Sequence, residues 1–103
     1  RRTISVKIFR GLMRKNPEEM RYPYQLALVY FDSSINDGLI EGLDAEGYNE
    51  TGKAIRILEF VLKKQESLNR LADSVPTRFT LANFLFKLGR VDEAEIHYET
   101  IKG

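Results

Sequence analysis

Thr77 to Gly103 reads TRFTLANFLFKLGRVDEAEIHYETIKG. Phe79, Ala82, Leu85 and Phe86 recur at helical spacing, and Leu81, Phe84 and Leu88 widen the apolar face. Gly89 then stops the helix, because it takes the left-handed conformation of a helix C-cap without the steric cost of a β-carbon. Asp92, Glu93 and Glu95 fall early in the next segment, where carboxylates suit the positive end of a helix dipole. Ala94, Tyr98 and Ile101 give that segment one apolar face. The stretch predicts two amphipathic helices joined by a tight turn.

Working outward, the 103 residues suffice for one small domain, 1–103. A formal charge of +1 gives no global field for nucleic acid or an acidic partner, and the absence of cysteine excludes thiol catalysis and cysteine metal sites. No apolar run approaches membrane-spanning length, so no membrane insertion is expected. Arg1–Asn16 carries a helical stripe of Ile4, Ile8, Phe9, Leu12 and Met13, ended by Asn16-Pro17. Glu18 to about Asp32 predicts a second helix. A further helix is expected from Asn49 or Glu50 to about Leu71, with Asp73-Ser74-Val75-Pro76 capping the next and Pro76 in its first turn.

The 77–103 unit resembles a tetratricopeptide repeat. Leu81-Ala82 stand as that family's Leu-small pair, Leu85 where an aromatic is usual, Gly89 in the turn, and Ala94 and Tyr98 at the small and aromatic positions of the second helix. Arg78 replaces the usual Trp. The pattern recurs upstream. Ser5, Phe9 and Pro17 match the small, aromatic and closing-Pro positions of a second helix. Leu26-Ala27 and Tyr30 match the next first helix, although Pro23 occupies its large-residue position. Pro17 precedes this motif by the distance that a period of about 34 residues requires. Ala54 and Leu58 fall at the small and aromatic positions of the following helix. The resemblance implies an all-α fold, a right-handed solenoid fragment of helical hairpins with about five helices. It divides into 1–17 (the second helix of a truncated repeat), 18–73 (a repeat interrupted by an insertion) and 74–103. The related Sel1-like repeat is the alternative.

Residues 32–50 read DSSINDGLIEGLDAEGYNE, with three glycines, six acids and no Lys or Arg. Against the family period this is an insertion of about 15 residues, expected as a loop. A smaller insertion of about six residues is expected near 71–76. The acids miss calcium-loop spacing, since Ser33 and Ile35 stand where acids are needed. No metal or cofactor is expected.

Nothing supports an enzyme. His97, the only histidine, reads as a surface residue of a terminal helix, because catalysis needs a base, an orienter and a pocket together. Gly52-Lys53 lacks the preceding glycine of a phosphate loop. Arg1, Arg2, Lys7, Arg10, Arg14, Lys15 and Arg21 make the N-terminal helix basic, but its apolar stripe fits a repeat core with a charged outer face better than a nucleic-acid or membrane surface.

The resemblance implies a concave groove lined by first helices. Register places Arg21, Tyr24, Gln25, Leu28 and Phe31 there from one repeat, and Phe79, Asn83, Phe86 and Lys87 from the last. Tyr24 and Phe79 occupy the position of the Lys in the family's carboxylate clamp, so an aromatic groove is expected instead. It suits an apolar segment or amphipathic helix of a protein partner. The competing expectation is a purely structural segment that spaces or dimerises a larger protein, with Val91, Ile96 and Ile101 as exposed apolar surface.

Overall fold

The computed structural model describes residues 2–36 and 45–103, with side chains described over 4–31 and 51–103. Every regular element among them is helical: α1 (Arg2–Lys15), α2 (Arg21–Asn36), α3 (Ala45–Ser67), α4 (Leu71–Lys87) and α5 (Val91–Lys102). The described residues form no strand, and none of their helices is long and apolar enough to cross a membrane. The expected all-α fold of five helices is therefore present.

The chain divides into two compact units, Arg1–Ile57 and Leu58–Gly103, with the boundary inside α3. In the first, α1 packs on α2. Asn16 closes α1 with both its backbone N–H and its side-chain Nδ2, which donate to the Leu12 carbonyl at 2.9 and 3.0 Å. Helix α2 starts at Arg21, three residues later than Glu18. Pro23 is buried in its first turn, where a missing N–H leaves no intrahelical bond unmade. Arg10 of α1 donates to the Tyr30 hydroxyl of α2 at 2.9 Å, and the Lys53 ammonium of α3 lies 5.5 Å from the same ring. Met20, Pro23, Leu26, Ala27, Tyr30, Phe31, Thr51, Ala54 and Ile55 are the buried residues among those described in this unit.

The expected loop over 32–50 is shorter than its composition suggests. Helix α2 continues to Asn36 and α3 begins at Ala45, so helix reaches into both flanks. Once a helix is nucleated, each added residue gains a hydrogen bond for one more fixed residue, and polar composition alone does not end it. The calcium-loop question at Asn36–Gly38 and the short turn expected at Leu39–Leu43 lie outside the described residues.

In the second unit, α4 packs on α5. Gly89, at φ +82°, makes the expected turn. The Arg90 N–H donates to the Leu85 carbonyl at 2.9 Å and the Gly89 N–H to that of Phe86 at 3.0 Å, the paired bonds of a Schellman cap. The same device recurs where a longer α3 was expected. Asn69 sits at φ 61°, Arg70 N–H donates to Gln65 at 2.8 Å and Asn69 N–H to Glu66 at 3.1 Å. Helix α3 therefore ends at Ser67 rather than near Leu71, and α4 begins at Leu71. The residues expected as a junction insertion form the start of α4. Pro76 lies inside the helix, not in its first turn, and removes the N–H that the Ala72 carbonyl would accept. Ala72 is exposed, so that carbonyl is open to water. The neighbouring buried hydroxyls are satisfied locally, Ser74 donating to the Leu71 carbonyl at 2.7 Å and Thr77 to that of Asp73 at 3.5 Å. Leu58, Val61, Leu81, Ala82, Leu85 and Ala94 are the most deeply buried apolar residues of this unit.

Candidate interaction surface

Helix α4 buries one side and leaves the other bare. At 100° per residue, Leu71, Val75, Phe79 and Phe86 fall within 80° of one another, with Asn83 and then Lys87 on one flank. Leu71, Val75, Phe79 and Phe86 are 60%, 47%, 52% and 57% exposed, a contiguous apolar stripe rather than scattered surface hydrophobics. Tyr98 of α5 borders it. Its ring meets Phe79 edge-on, with centroids 5.9 Å apart and planes at 65°, and its hydroxyl donates to Asn83 Oδ1. Phe79 and Asn83 are thus held in place from α5, which lowers the rotamer entropy lost when a partner packs on them.

A polar cluster fixes the α5 side of the hairpin. Arg78 pairs with Glu66 at the end of α3, and its Nη1 lies 3.0 Å from His97 Nδ1 on α5. A guanidinium only donates, so Nδ1 accepts and the ring proton sits on Nε2. Burial, and then the Arg78 charge, lower the His97 pKa, against the weaker opposing pull of Glu59, Glu93 and Glu66. The expectation of a plain surface histidine is corrected: His97 is half-buried and part of a cross-helix network.

The nine residues expected in a groove divide as follows. Phe79 and Phe86 are exposed and Asn83 half-buried on one face of α4, with exposed Lys87 at its end. On α2, Arg21 and Gln25 are exposed, and Tyr24 and Leu28 are half-buried. Arg21 pairs with Glu19 at 3.1 Å. Phe31 is 0% exposed and belongs to the core of its unit. It lies on the flank of the α2 stripe that the helix turns inward. Leu71, Val75 and Tyr98 were not read from the sequence as part of the face. The spacing of Leu71 and Val75 to Phe79 contains the signal, but only once α4 is known to begin at Leu71. The chain matches no family model, no curated protein and no solved structure.

Proposed function

We propose that the chain is a tetratricopeptide-like segment of a right-handed helical-hairpin solenoid, a non-enzymatic scaffold that holds a partner protein's apolar peptide or helix on the exposed face of α4. The half-buried Tyr24 and Leu28 and the exposed Gln25 of α2 form a second, weaker candidate face. The observation that carries the reading is the exposure of Phe79 and Phe86 beside a Tyr98 that is itself anchored. A rigid aromatic pair rimmed by Asn83 and Lys87 has the composition of a binding hot spot. The repeat reading draws support from Ala27, Ala54, Ala82 and Ala94. These four residues stand at the family's small positions, and each is 0% exposed, as close helix approach demands.

The test is capture from the native source by the chain and by Phe79→Ala and Phe86→Ala. Loss of an anchor weakens binding by about 2 kcal/mol or more, whereas truncating an exposed face leaves the fold nearly unchanged. Both variants should melt like the parent and lose the partner. Capture undiminished in both variants rejects the α4 face.

A further inference from the structure

The outward sides of α1 and α5 complement each other. Ile4 and Ile8, expected in the core, are 58% and 55% exposed on α1, and Ile96 of α5 is 65% exposed. Helix α1 carries Lys7, Arg10, Arg14 and Lys15 without an acid, whereas Asp92, Glu95 and Glu99 of α5 fall within about 60° of one another. Lys7, Arg14, Asp92 and Glu99 are all exposed, and none forms an ion pair with a described side chain. Lys7 and Arg14 lie about 20° apart around α1, and Asp92 and Glu99 about 20° apart around α5. Each pair is spaced by two helical turns, about 10.5 Å of rise, so two adjacent helices bring both bases onto both acids at once. Going round in the same sense, Ile4 and Ile8 lie about 60–100° beyond Lys7, and Ile96 about 40–60° beyond the two acids. An antiparallel pair that sets Lys7 against Glu99 and Arg14 against Asp92 therefore puts Ile8 and Ile96 on the same edge of the seam. A parallel pair puts them on opposite edges.

We infer that α1 of one copy docks antiparallel on α5 of a second copy, head to tail, with Lys7–Glu99 and Arg14–Asp92 pairs setting the register. The contact joins two different faces of the same chain, so each copy in a pair keeps one α1 and one α5 face free, and association continues past the dimer unless a ring closes. A second copy suits the α1 face better than a phosphate-bearing surface does. Phosphates engage the bases alone, whereas α5 answers the spacing of the bases and the exposed isoleucines together. Exposed charge pairs contribute modestly to affinity but strongly to orientation, because the wrong arrangement brings like charges together. The inference goes beyond the α4 face and does not use it.

Sedimentation equilibrium of the full chain tests it, with circular dichroism confirming that each variant is folded. The parent should associate beyond the dimer or into a ring, and less so as salt is raised. Lys7→Glu faces Glu99 with an acid and Glu99→Lys faces Lys7 with a base, so each variant alone should associate about fivefold more weakly. An equimolar mixture of the two should recover the parent's affinity, because each variant then meets an opposite charge on the other. Phe79→Ala should associate like the parent. A parent that stays monomeric at the highest attainable concentration overturns the inference, and if it sediments instead with phosphatidylserine vesicles, the α1 face serves an anionic surface. Association indifferent to both swaps, or a mixture that fails to recover, overturns it too. So does association that Phe79→Ala abolishes, which places the contact on α4. The reading of the α4 face is judged separately, by capture with Phe79→Ala and Phe86→Ala.

Discussion

Arg78 and His97 form the contact most sensitive to solution conditions. His97 accepts at Nδ1, so protonation turns the 3.0 Å hydrogen bond into two donors and two positive charges face to face. Its folded pKa lies below the unfolded value of 6.5 because burial and Arg78 disfavour the cation. Between those two values the unfolded chain binds more protons, so stability rises with pH across that window. The contribution is fully present above the unfolded pKa and is lost as pH falls through the lowered folded one. Thermal melts from about pH 7.5 to 5.5 should therefore show the parent losing stability on acidification. His97→Gln, which keeps an acceptor for Arg78 but cannot titrate, should lose less. Equal slopes for the two proteins refute the assignment. This network is not legible in the sequence, since Arg78 and His97 lie on different helices and nothing in their local pattern marks them as partners.

Among the elements, the two turns of the second unit show what a sequence reveals and what it hides. Gly89 was legible because few residues other than glycine take positive φ readily, and it follows an apolar helical run. Asn69 makes the same cap, yet Leu68 and Leu71 on either side prolong the helical pattern, and asparagine also fits exposed helical positions. Missing that turn shifted the start of α4, misplaced Pro76 and hid Leu71 and Val75 from the candidate face. Phe31 was misassigned for another reason. Register transfer assigns a position but does not say on which side of the helix the core closes. A β-carbon at Gly89 meets nothing within 4 Å, so the cost of Gly89→Ala is purely that of the left-handed backbone, about 1–2 kcal/mol. Asn69→Ala should lose a similar amount, with Asn69→Gly at least as stable as the parent. Gly11, inside α1 with equally open space around it, predicts the opposite sign, a gain of about 0.5–1 kcal/mol on Gly11→Ala. Urea midpoints of the four variants check both signs at once.

For the whole molecule, the question is whether the two units unfold together. Each has its own buried set: Leu26, Ala27, Tyr30, Phe31 and Ala54 in one, Leu58, Leu81, Ala82, Leu85 and Ala94 in the other. Their boundary lies within α3, a single helix of 23 residues. Melting one unit alone would create a new helix end in the middle of α3 and leave its terminal carbonyls or N–H groups without partners. A single cooperative transition follows, seen at one midpoint by circular dichroism and by amide exchange of Leu26 and Leu85. Phe31→Ala in the first unit and Leu81→Ala in the second should each lower that shared midpoint, by about 3–5 and 2–5 kcal/mol respectively. Against a typical total of about 5–15 kcal/mol, either loss populates the unfolded chain measurably. Phe79→Ala, on the exposed face, should leave the midpoint nearly in place. If Phe31→Ala moves only the exchange of Leu26 and Leu81→Ala only that of Leu85, the units unfold separately and α3 does not couple them. If Phe31→Ala leaves stability untouched, Phe31 belongs to a surface after all, and the division between core and face drawn along α2 is wrong.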